Sequence, residues 1–157
     1  MAPPNRKLVR RPAAERPLWT CARCGHSFVN RNQWHSCRRC DLSEPFAGTD
    51  ARVRDLFDHL RAIVQSFGPV KLQPYRDKIA FVVRVRFAGA FPRKRALDVG
   101  FWLTRAIDSP RFLTVERLGP TTFIYRVRVT DASQFDTELR RWLRESYRVG
   151  CQDHLAR

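Results

Sequence analysis

The spacing of apolar residues changes at Gly68-Pro69, and that change limits the folds open to this chain. Before it, Val53, Leu56, Phe57, Leu60, Ile63, Val64 and Phe67 recur every three or four residues, the stripe of an amphipathic helix wide enough to cover a sheet. Thr49 or Asp50 stands where a cap belongs, and Gly68-Pro69 halts the helix. After it the period becomes two. Val70 and Leu72, ahead of Pro74, suggest a short edge strand. Ile79, Phe81, Val83, Val85 and Phe87 read as a long strand with one buried face, and Leu97, Val99, Phe101 and Leu103 repeat the pattern. Phe112 to Leu118 is a weaker strand, and Phe123, Tyr125, Val127 and Val129 alternate once more. Short links favour an antiparallel meander, because parallel strands need long crossovers. The helical period returns at Phe135, Leu139, Trp142, Leu143 and Tyr147 and ends at Gly150, with Asp131 and Gln134 spaced as a capping box. The expected fold is α+β over residues 49–150: an antiparallel sheet of about five strands with both helices on one face. Residues 151–157 are expected to be a tail.

A second feature precedes this domain. Cys21 and Cys24, then Cys37 and Cys40, form two C-x-x-C pairs with His26 and His35 between them, so residues 18–41 read as a metal module. Thiolate and imidazole suit zinc in a closed tetrahedral site. Cys21, Cys24, Cys37 and Cys40 give the spacing of a zinc ribbon, and Gly25 suits the knuckle turn. His35 can replace Cys40 or Cys37 as the fourth ligand, while His26 reads as solvated or as supporting a ligand. A finger-like alternative places Phe28 as a core residue and residues 31–40 as a helix. Cys37 and Cys40 would then share a face, and Asn30, Gln33 and Ser36 would face bases. Four thiolates leave no open position for water, so a catalytic zinc is not expected.

Charge narrows the partners. The chain of 157 residues carries 30 Lys and Arg against 15 Asp and Glu, a net +15, which favours polyanions, nucleic acid above all. Residues 1–17, rich in proline and arginine, are expected to be a disordered basic arm, and residues 42–50 a linker. The outward strand positions Arg84, Arg86, Arg126 and Arg128, with Trp102, could form a basic face able to hold a phosphate backbone and stack a base. Solvated arginine stems covering a sheet are the plainer reading. No apolar run approaches the roughly 18 residues of a membrane span, and the N-terminus lacks the apolar region of a secretory signal. Cysteines at ligand spacing fit a reducing compartment, so a cytoplasmic location is expected. No G-x-S-x-G, P-loop or H-E-x-x-H occurs. Asp98 and Glu116 could meet across strands, but nothing in the sequence fixes that, and catalysis is unsupported.

From Leu18-Trp19-Thr20-Cys21-x-x-Cys24-Gly25 through Asn32-Gln33-Trp34-His35-Ser36-Cys37, the sequence resembles bacterial proteins of the family called domain of unknown function 5655. The resemblance continues in Phe46-Ala-Gly, Lys78-Ile-Ala-Phe, Arg84-Val-Arg-Phe and Leu139-Arg-Arg-Trp-Leu-Arg-Glu. It implies a small α+β domain, here behind a cysteine-rich segment, and no established reaction. It also implies a His-x-Cys pair with cysteine not always at the position of Cys40, which raises His35 as the fourth ligand. The expectation is a zinc-binding, non-catalytic module with nucleic acid as its ligand. The alternatives are a protein–protein adaptor with a structural zinc, or an enzyme on nucleic acid or a small ligand.

Overall fold

The computed structural model describes residues 16–155; the expected basic arm falls almost wholly outside the described residues, as do residues 156–157. A two-stranded hairpin, β1 (Trp19–Thr20) and β2 (Ser27–Phe28), opens the chain. Helix α1 (Ala51–Gln65) follows, then six strands: β3 (Lys71–Pro74), β4 (Ile79–Val82), β5 (Arg86–Pro92), β6 (Leu97–Leu103), β7 (Phe112–Arg117) and β8 (Phe123–Val129). Helix α2 (Thr137–Gly150) closes it. The fold is α+β, with a wholly antiparallel six-stranded sheet in the order β3-β4-β5-β6-β8-β7.

The helix stripes lie on one face of this sheet. Val53, Leu56, Phe57, Leu60 and Val64 of α1 and Leu139, Trp142 and Leu143 of α2 share one core with Ile79, Phe81, Phe101, Tyr125 and Val127. Trp142 stacks on Phe101 at 5.6 Å between ring centres, and Phe101 on Tyr125 at 5.7 Å. Ser146, fully buried on α2, donates to the carbonyl of Phe87 and accepts from the amide of Trp102, so one hydroxyl joins the helix to β5 and β6. The Tyr125 hydroxyl likewise donates to the Arg105 carbonyl and accepts from the Ile107 amide, which pins the link after β6.

Three expectations need correction. The long strand over residues 79–87 is a hairpin: β4 ends at Val82, the Val83 amide donates to the Val85 carbonyl, and β5 begins at Arg86. Alternation in Val-Val-Arg-Val-Arg-Phe runs straight through this turn, so the pattern hides the break. The meander holds as far as β6, after which β8 takes the inner place and β7 the edge. Leu113 and Val115 are exposed on β7, and a strand with so little to bury is stable only at an edge. The capping box of Asp131 and Gln134 exists but caps a 3-10 turn, Ala132–Gln134. Asp136 caps α2 instead, its carboxylate accepting from the Leu139 amide at 2.9 Å. At α1 Asp50 occupies the cap position without a side-chain bond, and the Thr49 hydroxyl donates to the Phe46 carbonyl.

The flanking segments are more ordered than the linker and tail readings expected. Pro45 is buried in a 3-10 turn, Glu44–Phe46, and Phe46 packs on the core edge-on to Phe57 at 5.3 Å. After α2 the chain forms a further turn at Asp153–Leu155, with Gln152 buried and accepting from Arg84 Nε at 2.7 Å.

Candidate metal centre and basic sheet face

The metal module is built on a short hairpin. Trp19 pairs with Phe28 and Thr20 with Ser27, which brings the knuckle Cys21–Gly25 to its tip. The knuckle closes through Gly25 N–H to the Cys21 carbonyl at 2.8 Å and Cys21 N–H to the His26 carbonyl at 2.9 Å. Gly25 takes φ +75°, a left-handed turn position that suits a residue without Cβ. Opposite the knuckle, residues 33–40 contain neither helix nor strand, so the finger-like helix is absent, and Asn30, Gln33 and Ser36 are not presented on one. His35 is held by the hairpin's aromatics, 4.4 Å from Phe28 and 5.9 Å from Trp19 between ring centres. Its Nδ1–H donates to the Gln33 carbonyl at 2.6 Å, which turns Nε2 toward the cysteines.

The group brought together is Cys21, Cys24, His35 and Cys37, whose ligand atoms all lie within 4.8 Å of one another. Cys21 and Cys37 sulfurs stand 3.7 Å apart, and His35 Nε2 lies 3.3 Å from both Cys24 and Cys37 Sγ. A tetrahedral ion bound at about 2.3 Å to sulfur and about 2.0 Å to nitrogen sets its ligands roughly 3.5–3.8 Å apart, so this group could hold one with little adjustment. The amides of Cys24 and Arg23 push the Cys21 thiol down to about 6. Burial and the neighbouring sulfurs of Cys21 and Cys24 push the Cys37 thiol up to about 11. A central cation would relieve that repulsion. Cys40 lies outside the group and lines a cavity beside it; the spacing in use is C-x2-C-x10-H-x-C. His26 is also outside the group, and its Nδ1 is buried without a partner.

The four arginines expected on the outer sheet face divide into two pairs. Arg84 lies in the turn after β4, donating to Gln152 and to the Arg16 carbonyl. Arg128 pairs with Asp98 through two bonds of 2.7 and 2.9 Å, and Arg93 reaches the same carboxylate at 2.9 Å. Asp98 is thereby engaged, and Glu116 lies at the far end of the sheet, opposite Ile124, so the two carboxylates are not brought together. Arg86 and Arg126 remain. A row of cross-strand partners runs Gln73, Ala80, Gly89, Gly100, Arg126, and its small residues form a floor. Phe91 lies over Gly89 and Gly100, and the Arg86 guanidinium over Gly89; a Cβ added at Gly89 would stand 3.0 Å from Arg86 Nη2. Arg126 sits 3.9 Å above the Phe91 ring and Arg86 4.9 Å above that of Trp102. Both Nε atoms are buried and unpartnered. Neither side chain lies within ion-pair distance of a carboxylate among the described residues.

Sequence reasoning missed Gln73, Lys78 and Phe91, which complete this face. The signal was the pair of strand glycines, Gly89 and Gly100, whose lack of side chains makes room for larger neighbours. Among the described residues no helix is long and apolar enough to cross a membrane. A sequence model of the family described as domain of unknown function (DUF5655) matches residues 43–150, a range that begins after the four clustered ligand residues. No curated protein and no solved structure matches the chain.

Proposed function

The chain belongs to the DUF5655 family, and we propose that it is a zinc-binding, non-catalytic module whose ligand is nucleic acid. Zinc is favoured because three thiolates and an imidazole suit it and close a tetrahedral shell. A closed shell leaves the metal to hold the hairpin together, in a segment too small to build its own core. The single observation that carries the nucleic-acid reading is the pair Arg86 and Arg126, stacked on aromatic rings and lacking a carboxylate partner among the described residues. A net charge of +15 adds long-range attraction to a polyanion. Positive charge combined with aromatic rings is the means by which single strands are held without reading sequence.

The test is fluorescence anisotropy with labelled single-stranded oligonucleotides bearing hydroxyl ends, titrated over a range of salt. The logarithm of affinity should fall linearly with the logarithm of salt, by about 0.7 per phosphate contacted. Replacing both Arg86 and Arg126 by Gln should flatten that slope by about 1 to 1.5. Absence of binding at low salt sinks the reading. The adaptor alternative draws on one observation, the exposed Leu113 and Val115 of edge strand β7. Its signature is a co-purifying protein that survives nuclease treatment.

A further inference from the structure

Between the metal module and the β3–β4–β5 end of the sheet lies a cavity of about 640 Å³. That volume falls within the range of small-ligand sites, roughly 300–1,000 Å³. One wall is the hairpin turn between β3 and β4, where the Tyr75 amide donates to the Lys78 carbonyl at 2.7 Å and Lys78 Nζ stands 5.2 Å from the Tyr75 ring centre. The floor is Gln73 and Arg86. Trp34, 91% exposed, stands on the metal module's wall beside His35. Such exposure is rare for a tryptophan and leaves its ring free for a ligand.

Three observations converge on an anion. Gln73 is 8% exposed, and its Nε2 has no partner, an expensive state for a buried amide. Arg86 Nε is buried without a partner beside it. The described lining residues include one carboxylate, Asp77, which is exposed and forms no ion pair with Lys78 or Arg86. Electrostatics agree: burial depresses the proton affinity of Lys78, and the charges of Arg86 and Arg126 depress it further. Arg86 is lowered by burial and by Arg126. An arginine does not relieve this by losing its proton, whereas a bound anion would offset it.

We propose that this cavity binds a nucleoside monophosphate group, the phosphate held by Lys78, Arg86 and Gln73 and the base stacked on Trp34. It rests on the nucleic-acid reading for its ligand class. Lys78 Nζ and the unpartnered Gln73 Nε2 are hydrogen-bond donors, which suits a phosphate oxygen. Flat rings at the rim supply the stacking partner that a bare phosphate would not use.

The zinc-loaded full chain is titrated calorimetrically with adenosine 5′-monophosphate, adenosine and inorganic phosphate. The monophosphate should bind, and the other two at least about tenfold more weakly. Lys78→Gln and Trp34→Ala should each weaken the monophosphate about tenfold while thermal unfolding stays unchanged, since Trp34 packs on little. Equal affinity for adenosine and its monophosphate overturns the phosphate half. Equal affinity for inorganic phosphate and the monophosphate overturns the stacking half. Absence of monophosphate binding, or unaltered binding in both variants, overturns the site. Adding a 5′-phosphate to the hydroxyl-ended oligonucleotide distinguishes the source. A gain in affinity assigns a strand terminus, and monophosphate binding without that gain assigns a free nucleotide; both uphold the site. Failure of the outer-face reading looks different, because hydroxyl-ended strands then fail to bind while the monophosphate still does.

Discussion

Single side chains divide the metal module into residues grouped so that they could hold an ion and residues that only stand near them. Changing Cys21, Cys24, His35 or Cys37 to Ala should remove bound zinc, whereas Cys40→Ser and His26→Ala should leave the stoichiometry at one, read by metal analysis of purified variants. Retention of zinc by the His35 variant would return the fourth place to Cys40. Elsewhere the most consequential residue is Asp98, 2% exposed between Arg93 and Arg128. Burial acts to raise its carboxyl, but the hydrogen bonds and charges of Arg128 and Arg93 outweigh it and hold the group below its ordinary value of 3.8. Its folded value is the lower one, so it contributes stability that is full above 3.8 and is lost as the pH falls below that. Asp98→Asn should cost about 2 kcal/mol near neutrality, reduced from the buried-pair range because both arginines are half exposed. The same variant should lose less stability than the parent on acidification, measured by urea unfolding at several pH values. Identity at this scale was only partly legible. Charge type and spacing pointed to Arg84, Arg86, Arg126 and Arg128 alike, but which of them already had partners depended on Asp98 and Gln152, brought close by the fold alone.

Elements were easier to read where the large apolar side chains all fall on one face. Helix α1, β6 and β8 follow their apolar stripes closely, because each buries one continuous face against a common core. β5 escaped notice because Ala88, Gly89 and Ala90 carry no bulky pattern: Phe91 and Arg86 lie across Gly89, while Ala88 and Ala90 face the buried core. The turn before it escaped because its valines continue the strand's alternation. Helix α2 supplies a test of how tightly the layers fit. A Cβ on Gly150 would stand 2.7 Å from Phe87 Cβ and 2.8 Å from Val83 Cγ1. Alanine gains up to about 1 kcal/mol of helix propensity, less at a last turn, while forcing two packed atoms apart costs about 1–3 kcal/mol. Phe87 Cβ cannot swing aside, so the clash wins. Gly150→Ala should lower stability by about 1–2 kcal/mol in equilibrium denaturation.

At the scale of the whole molecule, the candidate metal site and the core draw on separate residues. The buried cluster draws on both helices and the six-stranded sheet, and its members come from residues 53–143 with none from the metal hairpin. Chelation should therefore abolish hydrogen-exchange protection around Cys21–Phe28 and leave that of β4, β6 and β8 in place. Collapse of both together would show that the hairpin is part of the cooperative unit. Class and element order were legible in the sequence; the exchange of β7 and β8 was not, because it depends on which strand has less to bury. Arg84 adds something of a different kind. It grips the Arg16 carbonyl with one nitrogen and Gln152 with another, so the two ends of the described chain meet at a single guanidinium. Fluorophores attached at residues 16 and 152 would start in near contact. Metal removal that loosened the hairpin would separate them, making the chain a reporter of its own zinc occupancy. A short loop joining the same two places would also give a circular permutant with new termini at the exposed turn between β3 and β4.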